Sequence, residues 1–366
     1  MLALDARTGE LRWHFQVVRH DIWDRDLPAP PTLVELEHDG TLIDAVALTT
    51  KSGHLYVFDR DTGEPLYDII EEETLPSELP GEVPAPTEPV SAVAVTRQAF
   101  ELTTRSPEAT AHVQEIIRDF DLRPWAPPTL NGTLFFPGYD GGAEWGGSAF
   151  DPATDRLIVN MSEIGGILQL YEIPVGFSDG GVYAEHCGSC HGPDLEGTTN
   201  GPALDGVIDR LGRTEVETIV REGRDRMPAF AHLAEIERRG VLRHLAAPAA
   251  ARAGEAPSTE VRYAHGGYRW VRDHEGLPGN TPPWGTLTSV DLATGEFDWQ
   301  VPFGGYPGHE DLGYGSESYG GPVVTAGGLV FIAATPDRKL RAIDVRNGEE
   351  LWQAELPAAG YSTPVT

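Results

Sequence analysis

The sequence predicts an all-β propeller into which a small α-helical domain is inserted. Three observations support this prediction: a turn motif that recurs along the chain, a spacing between copies that suits one propeller blade, and one long interval of different composition. The chain has 366 residues, of which 42 are glycine and 30 are proline, so it is rich in turns.

The repeated motif is Asp-x-x-Thr-Gly, followed by a tryptophan four positions after the glycine. Two copies are complete, and three looser ones replace one or more of its residues; the copies begin at Asp5, Asp59, Asp151, Asp291 and Asp344. Each lies beside β-like runs and predicts a hairpin turn that needs Gly, Asn or Asp at positive φ. The first two copies are 54 residues apart and the last two 53, which suits one four-stranded blade per repeat. Five turns predict about four blades and part of a fifth.

The two longer intervals between copies predict insertions. The first contains the Pro- and Glu-rich stretch 71–90, which predicts an exposed loop within a long loop region at 70–125. The second is 140 residues long and predicts an inserted domain. The predicted order is therefore propeller blades at 1–175, the inserted domain at 176–250, and further blades at 262–366, the last of them incomplete.

Charge and hydropathy exclude two classes of partner. The chain has 27 Lys and Arg against 57 Asp and Glu, a net charge of −30. This field repels the phosphates of nucleic acids and anionic lipid headgroups. No apolar run reaches the roughly 18 residues that a membrane-spanning helix needs. We therefore expect neither nucleic-acid binding nor a membrane span.

The predicted insertion contains the only two cysteines, in the motif Cys187-Gly-Ser-Cys190-His191. This spacing is the attachment signature of c-type haem: two thiols bind the porphyrin edge, and the histidine binds the iron. Met227 is the candidate sixth ligand, because a thioether opposite histidine is usual in electron-transfer haems. A core methionine is the alternative for Met227, with His232 or His244 as ligand instead. A zinc site is the alternative for the cysteines, but zinc needs four ligands and the chain has no second cysteine pair. Helices are expected at about 214–223 and 232–246.

Longer segments show a resemblance to known families. HCGSCHGPDLEG (186–197) through GRDRMPAF (223–230) resembles small class I c-type cytochromes. HDIWDRDLPAPPTL (20–33), TTKSGHLYVFDRDTGEPL (49–66) and FPGYDGGAEWGGSAFDPAT (136–154) resemble dehydrogenases that use pyrroloquinoline quinone (PQQ), above all those that oxidise glucose and other sugars. The resemblance implies an eight-bladed propeller that holds PQQ over a calcium ion.

The resemblance also implies roles for particular residues. Asp24 matches the catalytic aspartate that follows the tryptophan of the HDxWD motif, with a turn-capping role as the alternative. Lys51 matches the basic residue that hydrogen-bonds the quinone oxygens; an ordinary surface lysine is the alternative. Glu144 and Trp145 stand where alcohol-oxidising relatives have an Asn-Trp pair near the quinone, so Glu144 departs from that pattern. The family's calcium ligands come from blades before this motif, so the chain is expected to be a C-terminal fragment that has little activity alone.

Together these features predict a quinohaemoprotein dehydrogenase. It would oxidise a sugar or alcohol with PQQ and pass the electrons through haem c to an acceptor such as a cytochrome or the respiratory chain. The resemblance implies a periplasmic location. The alternative is an electron-transfer cytochrome on a propeller scaffold that no longer binds PQQ.

Overall fold

The computed structural model describes residues 1–38, 40–247, 249–253 and 256–365. Residues 1–169 consist mainly of short strands with turns between them. In chain order the elements are β1 (Leu2–Leu4), β2 (Leu11–His14), β3 (Thr32–His38), β4 (Thr41–Thr49), β5 (Leu55–Asp59), β6 (Ile69–Glu73), β7 (Thr87–Ser91), α1 (Pro107–Ile117), β8 (Thr133–Phe135), β9 (Ala149–Asp151), β10 (Arg156–Ser162) and β11 (Gly166–Leu168).

Residues 170–266 form a compact unit of their own, called here the helical unit. A two-stranded antiparallel ribbon joins its two ends, and helices lie between the strands. The elements are β12 (Leu170–Ile173), α2 (Asp179–His186), α3 (Gly188–His191), α4 (Val207–Leu211), α5 (Arg213–Glu222), α6 (Glu235–Ala246), α7 (Ala249–Ala253) and β13 (Arg262–His265).

The rest of the chain returns to antiparallel strands. Together with residues 1–169 it forms the second compact unit, called here the strand unit. Its remaining elements are β14 (Arg269–Trp270), β15 (Gly285–Asp291), β16 (Phe297–Pro302), a short 3-10 helix (Glu310–Leu312), β17 (Val323–Val324), β18 (Leu329–Ile332), β19 (Lys339–Asp344) and β20 (Glu350–Glu355).

The predicted hairpin turns are confirmed. The turn from Asp5 joins β1 to β2, that from Asp291 joins β15 to β16, and that from Asp344 joins β19 to β20. The motif glycines adopt positive φ, 74° at Gly9 and 76° at Gly295. In each turn the backbone carbonyl of the aspartate accepts a hydrogen bond from the glycine N–H. The aspartate side chains accept further hydrogen bonds from the N–H groups of Thr8, Thr294 and Arg346.

Neighbouring sheets pack through their buried faces. Residues of β3–β4–β5 share one apolar core with β10 and β15. A second core joins β10 and β15 to β18 and β19. The sheet β16–β15–β10–β9 therefore lies between β3–β4–β5 on one side and β17–β18–β19–β20 on the other. None of the sheets among the described strands closes on itself.

The predicted blade count was wrong in one respect. The turn that starts at Asp151 joins β9 to β10, and both strands belong to the sheet that also contains β15 and β16. Two of the five motif copies thus share one sheet. Asp155 has φ 56° and stands where the other four copies have Gly. The sequence pattern therefore recognised the turn correctly but could not show which other strands would join its sheet.

The predicted long loop at 70–125 was also wrong. Strands β6 and β7 pair antiparallel, from Ile69 opposite Ser91 to Glu73 opposite Thr87, so only the middle of the Pro-rich stretch is a loop. Helix α1 follows. Ser106 caps it by accepting a hydrogen bond from Ala109 N–H, and Pro107 occupies its first turn. Ala109, Val113 and Ile117 are buried at a spacing of four, which gives α1 an apolar face.

Within the helical unit, the two expected helices are confirmed as α5 and α6. Val216 and Val220 of α5 pack with Val241 and Leu245 of α6 in one core that also contains Cys187. The segment 176–250 lies wholly inside the helical unit, and its boundaries as a domain remain a prediction. None of the helices in the described residues is long and apolar enough to cross a bilayer.

Candidate functional site

Lys51 and two aspartates form an ion-paired cluster in the strand unit. The Lys51 Nζ lies 2.6 Å from Asp26 Oδ1 and 3.1 Å from Asp24 Oδ2. Only 9% of the lysine side chain is exposed, against 35% for Asp24 and 57% for Asp26. Burial lowers the pKa of Lys51, but the hydrogen bonds to Asp26 and Asp24 outweigh this effect and raise it. The structure thus brings together two residues that lie 27 positions apart and that the sequence analysis had assigned separately to the quinone site.

Asp24 lies in a turn with an unusual backbone conformation. Asp24 has φ 63°, a conformation uncommon for a residue with a side chain. The turn is held by Asp21, whose carboxylate accepts hydrogen bonds from the N–H groups of Trp23 and Arg25 at 3.0 and 2.7 Å. The turn-capping role considered for Asp24 therefore belongs to Asp21, and the Asp24 carboxylate faces Lys51. Backbone strain of this kind concentrates at functional sites.

Lys51 is seated against a glycine. A Cβ on Gly141 would lie 2.5 Å from the Cα and Cβ of Lys51, so only glycine allows this approach, and Gly141 also has φ 63°. The carbonyl oxygen of Lys51 accepts hydrogen bonds from Gly142 N–H at 2.7 Å and from the Arg25 guanidinium at 3.0 Å. The backbone on both sides of the lysine is therefore fixed before any ligand arrives.

Glu144 and Trp145 lie near this cluster in different environments. Burial raises the pKa of Glu144 to about 7; Lys51 opposes this shift, whereas the charges of Asp140 and Asp26 add to it. Trp145 is half-exposed, stacks on Tyr319 with ring centres 5.1 Å apart, and donates a hydrogen bond to the Tyr361 carbonyl oxygen. Trp145 therefore presents a flat surface that Tyr319 supports.

Sequence reasoning missed Asp140 and Tyr319. The Tyr319 hydroxyl donates to Asp140 Oδ2 at 3.2 Å, and burial raises the pKa of Asp140. Asp140 lies within the segment 136–154 that had been singled out, four residues before Glu144, so its position was a usable signal. Tyr319 comes from a segment 174 residues beyond Trp145, and no sequence pattern related the two.

The helical unit contains a cavity of about 480 Å3. This volume lies within the roughly 300–1,000 Å3 of ordinary ligand and cofactor pockets. Cys187, Cys190, His191 and Met227 all line it, so the four residues chosen from the sequence share one space. The rest of the lining is mainly apolar and includes Leu204, Val216, Val220, Phe230, Val241 and Leu245.

The chain orients His191 within this cavity. Its Nδ1 lies 2.8 Å from the carbonyl oxygen of Pro202, an acceptor, so Nδ1 carries the proton and Nε2 keeps a lone pair that could bind a metal ion. Helix α3 carries Cys190 and His191 and begins directly after Cys187. Burial, and to a smaller extent Cys190, raises the pKa of Cys187 to about 11, whereas Cys190 is exposed.

Met227 lies in a tight loop between α5 and α6. Its N–H and C=O groups pair with the C=O and N–H groups of Arg224, at 2.9 and 3.1 Å. Its side chain packs partly against the apolar core of the helical unit and lines the cavity. The donor set of two thiols, one imidazole and one thioether around an apolar cavity fits haem c. Zinc fits less well, since the described residues contain no group of three or more His, Cys, Asp or Glu placed to hold a metal ion.

Comparison with known proteins shows which protein family the chain matches. A family model described as "PQQ: Glucose/ethanol/alcohol dehydrogenase, beta-propeller domain" matches residues 1–179 and 184–366. Quinate/shikimate dehydrogenase (quinone) of Acinetobacter baylyi is 32% identical over all of this chain and 39% of its own length. Quinoprotein glucose dehydrogenase of Escherichia coli is 29% identical, over all of this chain and 40% of its own. The chain thus spans about two fifths of the curated relatives that it matches.

A solved structure also aligns with the chain. It is that of the quinohemoprotein alcohol dehydrogenase ADHIIG from Pseudomonas putida HK5, with 17% identity and a TM-score of 0.47 over all of this chain and 36% of that one.

Proposed function

Because the chain belongs to the PQQ β-propeller family of glucose, ethanol and alcohol dehydrogenases, we propose that it carries the quinone site of a dehydrogenase. The substrate class is a CH–OH group of a sugar, an alcohol or a hydroxy acid such as quinate, in line with the names of its relatives. The observation that carries the proposal is the Lys51 ammonium held between Asp24 and Asp26.

The residues of the cluster divide the work of such a site. When bound, PQQ supplies the oxidant that accepts the two electrons leaving the substrate carbon. Asp24 is the group placed to take the hydroxyl proton, because its carboxylate is partly exposed while Lys51 fixes its orientation. The Lys51 ammonium has a third N–H to donate to a quinone oxygen. Trp145, supported by Tyr319, offers a surface on which a flat ring can stack.

We further propose that the helical unit binds haem c. Cys187 and Cys190 would form the thioether bonds, and His191 Nε2 and the Met227 sulfur would bind the iron. Haem supplies one-electron transfer to a later acceptor, such as a cytochrome or the respiratory chain. The proposal is supported by the shared cavity and by the Pro202 carbonyl at His191 Nδ1. Calcium is proposed as the cation of the quinone site, and the location is proposed to be periplasmic.

A quinone-binding experiment tests the main proposal. The chain has only two lysines, so the second one, Lys339, can serve as the control for Lys51. The affinity of the purified chain for PQQ in calcium-containing buffer would be measured from the quenching of tryptophan fluorescence. Lys51→Ala should weaken binding by about 10-fold or more, the contribution of a lost charge-assisted hydrogen bond. Lys339→Ala, the matched control in β19, should leave the affinity unchanged. Equal affinities of the two variants would contradict the assignment of Lys51.

A second candidate function is electron transfer without quinone. It rests on the haem-like donor set, which lies wholly within the helical unit, and the match to the PQQ family does not favour it. If the wild-type chain binds haem covalently and shows no saturable binding of PQQ, this second function is the correct one. In a longer protein that contains this chain and turns over substrate, Asp24→Asn should preserve PQQ binding and lower substrate-dependent reduction of an electron-accepting dye by about 10²-fold or more.

A further inference from the structure

Arg25 is a buried cation at the edge of a second cavity in the strand unit. Only 7% of the residue is exposed. The cavity has a volume of about 200 Å3, several times the roughly 30 Å3 that one water molecule occupies in the liquid. Besides Arg25, its lining includes Gln98 and the aromatic rings of Trp23, Phe100, Trp125 and Phe135.

The guanidinium uses little of its hydrogen-bonding capacity. Of its five N–H donors, one Nη1 hydrogen bonds the carbonyl oxygen of Lys51 at 3.0 Å. The group lies over the ring of Phe135, 5.2 Å from its centre. Among the described residues it has no other side-chain hydrogen bond and no ion pair within 4.0 Å. Because Arg25 lines this cavity, its remaining N–H donors can serve a ligand bound there.

The nearest acids are engaged elsewhere. Both carboxylate oxygens of Asp21 accept backbone N–H groups, and Asp24 accepts from Lys51. Their charges raise the pKa of Arg25, but burial dominates and lowers it to about 10, so the group is still cationic at neutral pH.

The remaining charges of the lining do not neutralise Arg25. Glu72 accepts a hydrogen bond from Trp125 Nε1 at 2.5 Å, and Arg123 is paired with Asp121. Of the two arginines that line the cavity, Arg25 is therefore the one without a carboxylate of the described residues within ion-pairing distance. An unpaired buried cation is strongly destabilising, by an amount comparable to breaking a buried ion pair. A guanidinium stacked on an aromatic ring with its edge free is the arrangement that receives a carboxylate through two parallel hydrogen bonds.

We propose that the Arg25 cavity is a binding site for the carboxylate of a small organic acid. The carboxylate could belong to a free hydroxy acid or to the quinone cofactor, which also carries carboxylates. Either source places the two oxygens on the Arg25 guanidinium among the surrounding aromatic rings. The proposal concerns binding alone and needs neither turnover nor haem.

The test is calorimetric titration of the whole chain without quinone, with acetate and quinate as probes and glucose as a neutral polyol. Both acids should bind and glucose should not bind to this cavity. Arg25→Gln should weaken binding of the acids by at least about 10-fold. Arg123→Gln is the control, since this arginine also lines the cavity but already has an acidic partner, and it should change the affinity less than 2-fold. Arg25→Lys, which keeps the charge and loses the planar fork, should lie between.

A parallel titration after saturation with PQQ separates the two sources. Loss of acetate binding would assign the cavity to a cofactor carboxylate, and retained binding would assign it to a separate acid. The proposal is overturned if the wild-type protein binds neither acetate nor quinate nor PQQ. It is also overturned if Arg25→Gln and Arg25→Lys bind these ligands with the same affinity as the wild type. Far-UV circular dichroism tests whether each variant is folded. If Arg25→Gln does not fold, Arg25→Lys is compared with the wild type instead.

Discussion

The indole Nε1 of Trp299 donates a 2.9 Å hydrogen bond to the carbonyl oxygen of Val345, the residue after the motif aspartate of the next sheet. Trp13 makes the same bond to Arg60 at 2.9 Å, and Tyr67 makes it through its hydroxyl to Leu292 at 2.7 Å. In each case the aromatic residue of one motif contacts the turn of the following sheet. The motif is therefore both a turn and a connector between sheets.

The first prediction concerns the glycine beneath this ring. A Cβ on Gly348 would lie 2.7 Å from the Trp299 ring, whereas a Cβ on Gly9 would meet nothing within 4 Å. Both glycines have nearly the same φ, 73° and 74°. Gly9→Ala should cost about 1–2 kcal/mol from backbone strain alone, and Gly348→Ala should cost more. Urea unfolding of both variants measures the difference, and equal losses would mean that the ring contact does not stabilise the fold.

The pKa of Glu144 predicts a pH-dependent stability. A carboxyl whose pKa is raised in the folded state to about 7 stays protonated while the unfolded chain ionises, so stability falls as the pH rises from about 4.5 to 7. Removing the charge should remove this loss. Glu144→Gln should raise the unfolding temperature more at pH 8 than at pH 5, as measured by differential scanning calorimetry. An equal effect at both pH values would show that Glu144 ionises normally.

The two thiols should differ in reactivity before haem is attached. Cys187 is buried with a pKa of about 11, whereas Cys190 is exposed. Because the thiolate is the nucleophile, iodoacetamide at pH 8 should modify Cys190 well before Cys187. Peptide mass spectrometry after timed quenching measures both rates. Equal rates would indicate that the cavity opens freely in the haem-free protein.

Met227 should control the spectrum of the haem-loaded protein. Met227→Ala should abolish the weak red absorbance of methionine bound to ferric haem, and it should lower the reduction potential, because a thioether ligand raises it. Met161, which is buried in β10 of the strand unit, provides the control. Met161→Leu should leave both properties unchanged. An unaltered spectrum in Met227→Ala would assign the sixth position to another group, with His232 and His244 next to be tested.

Local signals in the sequence predicted more of this molecule than its long-range pairings. The hairpin turns, α5, α6 and the haem-like cluster follow from short spacings. The sharing of one sheet by the Asp151 and Asp291 turns depends on pairing of strands whose residues are 123 to 135 positions apart, which no local pattern contains. Helix α1 was missed because Pro- and Glu-rich neighbours outweighed its short apolar face.

The candidate site shows the same division. Asp24 and Lys51 were found through the resemblance to a family. The 3.1 Å contact between them depends on the tertiary structure. The stacking of Trp145 on Tyr319 and the free donors of Arg25 depend on how distant segments pack. Neither could be read from residue type or spacing.

The central claim is that this chain combines a quinone site with a covalent haem, and attachment of the haem is its most direct test. The chain would be expressed with a c-type cytochrome maturation system and its intact mass measured after denaturation. We expect the mass to increase by one haem, with a pyridine haemochrome spectrum of the two-thioether type, and we expect neither in Cys187→Ser/Cys190→Ser. A chain that keeps its unmodified mass, or that retains zinc in place of iron, would contradict the account.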